Sequence, residues 1–359
     1  MRLEFKSRFN LGCFFSKKAF LMFVSLIFMV VLIFSPFVSV FCGEVSFFVQ
    51  GAETPNKVVK NESELVNAIS VAPSGKSSYV IGLSADVTLK SFLGIPSDKN
   101  IVLVSVGGVW NIFGANKQNT ITVDGLLTLD GIGVTHTSGD TGGGVFVKNG
   151  GALTLLSGKI SGNTGTNDLN GDTIGGGVFI DGEGSFVMSG GEISGNTAFI
   201  LGGGVCNRGT FTLSGGEISG NTAGSGGGGV ANSGVFVMSG GKISSNTAPI
   251  GGGVATTSST FTMSGGEITC NTAGQCGGVF YTQDSFEWIG GVISGNTAGS
   301  GGNDVGNMAK SGTSKRVDSD FGVKSDGEVE VDPAEKISPH LFLLIIVMVV
   351  GVIVGLLFL

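Results

Sequence analysis

Apolar and polar residues alternate within a block that recurs over residues 142–305. Its clearest copy, at residues 202–223, contains Gly-Gly-Gly-Val and then Phe-Thr-Leu-Ser-Gly-Gly-Glu-Ile-Ser-Gly-Asn-Thr-Ala. Phe211 and Leu213 are two residues apart, so in a strand their side chains point to one face while Thr212 points to the other. Segments this short and this rich in glycine do not form amphipathic helices. Each block therefore predicts three short β-strands.

The spacing inside the block is constant. The second apolar residue of the Phe-x-apolar strand precedes an Ile by five residues, and that Ile precedes an Asn by three, in all six copies. The repeated Ile residues are Ile160, Ile193, Ile218, Ile243, Ile268 and Ile293. Repeats of this period predict an all-β fold, a right-handed parallel β-helix with three strands per coil and about 4.8 Å between coils. The Phe and Ile residues are then expected to form interior columns.

The repeated Asn is predicted to be structural. An Asn tolerates the left-handed backbone of a sharp corner, and its amide can bond the Asn of the next coil. The predicted structural column consists of Asn163, Asn196, Asn221, Asn246, Asn271 and Asn296.

The region before the repeats predicts export. Within residues 1–42, basic residues precede a long uncharged stretch, which is typical of a signal peptide or a signal anchor, and weak cleavage signals leave that choice open. Residues 43–60 are interpreted as a linker and residues 61–141 as an N-terminal cap with degenerate coils. Residues 61–69 resemble a capped helix, with Asn61 as the N-cap.

The region after the repeats predicts a tether. Residues 306–340 are polar and charged, which favours a flexible stalk. Residues 341–359 are entirely apolar, long enough for a transmembrane helix or for an anchor signal that is later removed. The expected architecture is a β-helix flanked by hydrophobic helices at both ends, exported and held at the cell surface by the membrane.

One outward row of the predicted β-helix is a possible ligand face. Thr154, Thr212 and Thr262 lie between the inward residues of their strands, beside a row of Ser residues. A flat hydroxyl-rich face can bind glycans, or ice if its spacing is regular. Thr and Val are also simply residues that suit strands, and the sequence leaves both interpretations open.

Composition limits the kinds of partner that the sequence predicts. The 359-residue chain has 20 Lys and Arg against 27 Asp and Glu, a net charge of −7. Without a basic stripe, nucleic acid is not an expected partner. Three of the five Cys lie in the repeats, and a disulfide between Cys270 and Cys276 is left open.

The repeated Gly-Gly-Gly-Val and Ser-Gly-Gly-x-Ile-Ser-Gly-Asn-Thr-Ala units, and the final Gly-Gly-Asn-Asp-Val, resemble adhesin-like surface proteins of archaea and bacteria. They are similar to the repeats of chlamydial polymorphic outer-membrane proteins. The resemblance covers roughly residues 58–305. It implies a right-handed parallel β-helix and a non-catalytic role in adhesion or envelope structure, with an extracellular glycan or protein as partner.

Enzymes that act on polysaccharides share this fold, so a catalytic role is the main alternative to adhesion. Glu192 and Glu217 are expected to stack one coil apart, without the Asp cluster and basic residue that a lyase needs. His136 and His340 lie in no metal-binding motif. The sequence predicts no catalytic, cofactor or metal site. A surface polysaccharide lyase or hydrolase and a glycan-binding module are the alternatives.

Overall fold

The computed structural model describes residues 54–165, 175–257, 259–282 and 285–307. These residues form a parallel β-solenoid of about ten turns. Each strand pairs in parallel with the equivalent strands of neighbouring coils, so identical positions lie in register along the solenoid. The predicted parallel β-helix repeat is therefore confirmed, while the hand of the coil stays a prediction.

Two sheets contain the repeated Phe and Val residues, and we call them the Phe sheet and the Val sheet. The strands of the Phe sheet are Lys57–Val59, Tyr79–Leu83, Asn100–Ser105, Leu126–Asp130, Ala152–Leu155, Ser185–Met188, Thr210–Leu213, Val235–Met238, Thr260–Met263 and Phe286–Trp288. The strands of the Val sheet are Leu93–Ile95, Ile121–Val123, Val145–Val147, Val178–Ile180, Val205–Asn207, Val230–Asn232, Val254–Thr256, Val279–Tyr281 and Val305–Asn307.

The other two sheets contain the repeated Ile and Thr residues, and we call them the Ile sheet and the Thr sheet. The strands of the Ile sheet are Val87–Thr88, Trp110–Gly114, Ile132–His136, Gly158–Ser161, Glu192–Ser194, Glu217–Ser219, Lys242–Ser244, Glu267–Thr269 and Val292–Ser294. The strands of the Thr sheet are Thr164–Gly165, Thr197–Ala198, Thr222–Ala223, Thr247–Ile250, Thr272–Gln275 and Thr297–Ser300.

The Thr sheet adds a fourth strand to the regular coils, where the sequence predicted three. It forms because the chain stays extended after the Asn: the backbone N–H of Thr222 donates to the carbonyl oxygen of Asn196 in the preceding coil at 2.9 Å. Some of its strands, such as Thr222–Ala223, contain only two residues. A segment that short has no alternating pattern by which a sequence can indicate a strand.

The interior contains the two predicted columns. The rings of Phe186, Phe211, Phe236, Phe261 and Phe286 stack with centroid separations of 5.0, 4.8, 4.5 and 4.8 Å. Along the Ile sheet each repeated Ile pairs with the Ile of the next coil, as Ile160 does with Ile193. These side chains share one core with the repeated Val residues of the Val sheet. Leu153 and Leu127 continue the Phe column toward the N-terminus, so this column stays apolar in the coils before Phe186.

The predicted helix is present as α1, Glu62–Val71, with Asn61 as its N-cap. The side-chain oxygen of Asn61 accepts the backbone N–H of Glu64 at 3.0 Å. Leu65, Ala68 and Ile69 are buried in the same core as the strands. The amphipathic pattern and the capping residue that the sequence analysis used are thus both realised.

The end of the predicted linker differs in the structure. Residues 57–59 had been assigned to the linker, but Lys57–Val59 is the first strand of the Phe sheet and pairs with Tyr79–Leu83. Only Val59 in this strand is buried, so alternation could not reveal it. The region 61–141, predicted as a cap with degenerate coils, and the repeats at 142–305 share three sheets.

The remaining predicted regions lie outside the described residues. These are the signal or anchor at 1–42, nearly all of the stalk at 306–340, and the apolar segment at 341–359. Among the residues that the structure describes, no helix combines the length and the apolar character needed to span a bilayer.

The sharp corner before each repeated Asn is made by the preceding residue, and not by the Asn itself as the sequence predicted. This residue has a positive φ in every regular coil, and it is Gly162, Gly195, Gly220, Ser245, Cys270 or Gly295. Ser245 and Cys270 both have φ of 57°. A residue with a Cβ is strained there by about 1–2 kcal/mol, whereas glycine is not.

Replacing the strained serine should therefore stabilise the solenoid. We expect Ser245→Gly to raise the free energy of unfolding by about 0.5–1 kcal/mol. The reason is that the strain energy relieved in the folded state exceeds the entropic cost of the flexibility that glycine adds to the unfolded chain. Ser219→Gly makes the same chemical change in a strand one coil earlier and should lower it by a similar amount. Chemical unfolding followed by circular dichroism measures both, and equal effects of the two variants would contradict the assignment of strain.

Candidate functional site

The repeated Asn side chains form a buried hydrogen-bonded ladder. In Asn196, Nδ2 donates to Oδ1 of Asn221 at 3.0 Å and to the carbonyl oxygen of Ile160 at 2.9 Å, and the backbone N–H also donates to Oδ1 of Asn221 at 3.0 Å. The same three hydrogen bonds recur at the other five Asn. All six residues are at most 4% exposed. The predicted column is thus brought together along the whole array.

The hydrogen bonds between the ladder Asn side chains all run in one direction, and each end of the ladder contacts a side chain that can complete its hydrogen bonding. In every bond between two ladder Asn, the amide of one coil donates to the Oδ1 of the next coil toward the C-terminus, so an acceptor oxygen is left at one end and donors are left at the other. His136 Nδ1 lies 2.9 Å from Oδ1 of Asn163 at the acceptor end. At the donor end, Asp304 Oδ1 accepts from Nδ2 and from the backbone N–H of Asn296, at 2.9 and 3.1 Å. The arrangement resembles a helix macrodipole compensated at both ends.

Sequence reasoning missed both ends of the ladder. A signal for Asp304 did exist: it precedes Val305 where earlier coils have the third glycine before their Val. A Cβ on that glycine would lie close to the ladder, as at Gly229, where it would lie 3.0 Å from Nδ2 of Asn246. A carboxylate at this position is therefore directed at the ladder. His136 had no such signal, because its coil lacks the repeat's glycines.

The ladder should tolerate a carboxylate only at its donor end. Asn221→Asp removes both side-chain donors and buries a charge, so we expect a loss of about 3 kcal/mol or more in the free energy of unfolding at pH 7. Asp304→Asn is the matched control, since an amide oxygen can still accept both hydrogen bonds of Asn296, and its cost should stay below about 1 kcal/mol. Chemical unfolding of the two variants tests this, and equal losses would show that the ladder's direction is unimportant.

The outer side of the Phe sheet carries a face without charged residues, which we call the uncharged face. Its residues are Ala152, Thr154, Leu156, Ser185, Val187, Ser189, Thr210, Thr212, Ser214, Val235, Val237, Ser239, Thr260, Thr262 and Ser264. All of them are exposed or half-buried. Carboxylates mark its two limits, Asp130 in the preceding coil and Glu287 in the following one.

The structure places the three predicted ligand residues in the central row of this face. Along the row, Thr154, Thr212 and Thr262 alternate with Val187 and Val237. Their hydroxyls are therefore separated by two coils, about 9.6 Å, with a Val between them. The row offers methyl groups and hydroxyls in turn, so it is suited to a neutral partner more than to a charged one.

A row of charged residues lies instead on the outer side of the Ile sheet, while Asp181, Glu183 and Arg208 lie in the corners that precede the Phe sheet. Lys159 Nζ lies 3.0 Å from the carboxylate of Glu192, which pairs in register with Glu217. Glu217 accepts a hydrogen bond from Ser244 at 2.8 Å. The hydroxyl of Ser194, followed by Lys159, lowers the pKa of Glu192. Both carboxylates are thus engaged with neighbouring side chains, and Glu192 is ionised at neutral pH.

His136 and a second row of buried polar side chains are also engaged in hydrogen bonds within the solenoid. His136 contacts Asn163 and the carbonyl oxygen of Gln118, the latter at 3.0 Å from Nε2. A second, shorter ladder runs from Asn207 to Asn232 at 2.7 Å and on to Thr256 at 3.1 Å. Within the described ranges, no group of three or more His, Cys, Asp or Glu side chains is arranged to hold a metal ion.

The three Cys of the described residues are free thiols. The disulfide between Cys270 and Cys276 that the sequence left open is not formed, because Cys270 is exposed whereas Cys276 is buried and its Sγ donates to the carbonyl oxygen of Gly301 at 3.2 Å. Burial raises the pKa of Cys206 to about 11 and also raises that of Cys276. Both groups therefore stay protonated at neutral pH.

These environments predict a sharp difference in thiol reactivity. At pH 8 we expect iodoacetamide to alkylate Cys270 at least tenfold faster than Cys206 or Cys276, because burial blocks access and suppresses the reactive thiolate. Peptide mapping by mass spectrometry gives the rate at each site, and the same reaction in denaturant should bring the three rates together. A Cys270–Cys276 cross-link in unreduced native protein would contradict the prediction.

Comparison with known proteins identifies no relative of this chain. No family model, curated protein or solved structure matches the chain. The resemblance of the repeats to adhesin-like surface proteins therefore stays a prediction from the sequence.

Proposed function

We propose that the chain is a membrane-tethered β-helix rod of the cell surface that acts without catalysis in adhesion or envelope structure, and that it engages its partner through the uncharged face. In this proposal the coil is right-handed, helix α1 caps its N-terminal end, and the apolar segments at 1–42 and 341–359 connect the rod with export and the membrane.

The observation that carries the proposal is the uncharged face. Charge is excluded from five consecutive coils on this side, while the Ile sheet of the same coils carries Glu192, Glu217, Lys242 and Glu267. In-register stacking does not by itself remove charge from these coils, because their Ile sheet places Glu192 directly beside Glu217. The separation favours a contact surface on the Phe sheet.

The size of the face favours many weak contacts over one strong contact. Five coils spaced about 4.8 Å apart and four residues along each strand give roughly 300 Å². A stable protein–protein interface buries about 800 Å² on each partner. A single rod therefore binds weakly, and a surface displaying many tethered copies binds through avidity. That behaviour suits adhesion.

The rigidity of the described body supports the same role. The Phe stack, the Asn ladder and the backbone pairing all link each coil to the next, so bending would break several interactions at once. A rod of this kind holds the uncharged face in a fixed geometry. The hydroxyls of Thr212 and Thr262 favour a neutral glycan as the partner to test first, and a glycan-binding module is the second candidate.

The test is binding of the full chain, reconstituted in lipid vesicles, to a glycan and protein array with sugar release measured in the same wells. We expect Thr212→Lys together with Thr262→Lys to lower binding at least tenfold, because two ammonium groups would be desolvated against a neutral partner. Thr222→Lys together with Thr272→Lys is the matched control, since it places the same substitutions on the exposed Thr sheet of the same coils.

Three results would change the proposal. Equal binding by the two double variants would remove the uncharged face from the contact. Release of reducing or unsaturated sugar ends by the unmodified chain would replace the proposal with the polysaccharide lyase or hydrolase. Absence of binding to every probe would leave envelope structure without an adhesive role.

A further inference from the structure

The solenoid ends at a coil whose outer edge has no described neighbour. Phe286–Trp288, Val292–Ser294 and Thr297–Ser300 are the last strands of the Phe, Ile and Thr sheets. The inward side chains are less covered here than in the array: Phe286 and Trp288 are half-buried, whereas Phe261 and Met263, their partners in the preceding coil, are fully buried. Solenoids need a terminal unit over such an end.

Only one sheet extends beyond this last coil within the described residues. Val305–Asn307 pairs with Val279–Tyr281 and begins a further turn of the Val sheet. In the described coils, the chain goes from the Val sheet to the Phe sheet after a corner of two to four residues, as between Asn207 and Thr210. The strand that would continue this turn therefore belongs on the edge of Phe286–Trp288.

The sequence after Asn307 contains the pattern that this edge requires. Phe321-Gly322-Val323 repeats the Phe-x-apolar pattern of Phe236-Val237-Met238 and its equivalents, after a corner of 13 residues. Val329-Glu330-Val331 follows as a second alternating segment, with Val329 six residues after Val323. The same separation of six residues joins Ile81 to Val87, the equivalent positions of the first coil.

We propose that residues 321–331 of this chain form the terminal coil of the solenoid. Phe321-Gly322-Val323 docks on Phe286–Trp288 with Phe321 over Phe286, and Val329-Glu330-Val331 docks on Val292–Ser294. The expected flexible stalk is then interrupted by an ordered cap. This assignment does not depend on the proposed function.

Charge supports this segment as a terminal unit that prevents further stacking. Lys324, Asp326, Glu328 and Glu330 lie in or beside its two apolar patterns, whereas the strands of the uncharged face carry no charge. Charged residues on an edge strand block pairing with another chain. Asp304 already closes the Asn ladder, so the terminal coil needs no ladder Asn.

Cross-linking tests the proposed register in the full chain. Glu287→Cys with Gly322→Cys places two thiols at facing positions of neighbouring strands, within the Cα separation of about 4.4–6.8 Å that a disulfide needs. We expect this pair to oxidise within one chain, and Glu287→Cys with Ser319→Cys, three residues out of register, to do so at least tenfold less. Mixing ¹⁵N-labelled and unlabelled chains distinguishes disulfides within one chain from disulfides between two copies. Only a disulfide between two copies can join a labelled peptide to an unlabelled one.

Hydrogen exchange tests how much the proposed terminal coil stabilises the last described coil. We expect Phe321→Ser together with Val323→Ser to speed amide exchange in Phe286–Trp288 and Val292–Ser294 at least tenfold, and to leave Thr210–Leu213 unchanged. Val317→Ser removes an apolar side chain from the same region outside the proposed coil and should change neither.

Three outcomes of these two experiments would count against the terminal coil. Mixed-isotope cross-links would replace the proposal by a second copy on this edge. Absence of a disulfide in the variant that combines Glu287→Cys with Gly322→Cys, or unchanged exchange in the double serine variant, would overturn it.

Discussion

Each residue of a regular coil lies directly over its counterpart in the next coil, and this register is the constraint on which the molecule depends. Parallel in-register pairing places Phe on Phe, Ile on Ile and Asn on Asn. Stacking of identical residues is favourable for aromatic rings and amides and unfavourable for like charges. The repeats accordingly contain few charged residues, and Lys159 beside Glu192 shows the arrangement that the register permits.

The same register turns a common amide into a directional chain. Each Asn of the ladder satisfies its donors and its acceptor with neighbours in the coils before and after it, which removes the cost of burying six polar side chains. Alignment of the amides leaves opposite partial charges at the two ends. His136 and Asp304 meet these ends with a ring nitrogen and a carboxylate, so the direction of the ladder is matched to residues far apart in the sequence.

Repetition made most of this fold predictable, and its failures occur where repetition ends or a segment is very short. The Phe and Ile columns and the Asn ladder followed from constant spacing, because equal spacing requires equal placement in stacked coils. The Thr sheet and Lys57–Val59 were missed because two or three residues carry no periodicity. The corner geometry was assigned to the Asn, although Ser245 and Cys270 show that the preceding residue adopts the left-handed conformation. Spacing placed Thr154, Thr212 and Thr262 in one row, but it could not show that the whole face around them is uncharged.

The ladder also bears on how such a chain can change its length over evolution. Asn196, Asn221, Asn246 and Asn271 are 25 residues apart, and each has the same partners as the others. Loss or duplication of one 25-residue unit between them would therefore join surfaces that already fit, while His136 and Asp304 would still meet the two ends. Recombination between gene segments that encode such units would thus change the length of the rod in steps of about 4.8 Å without any new contact having to arise.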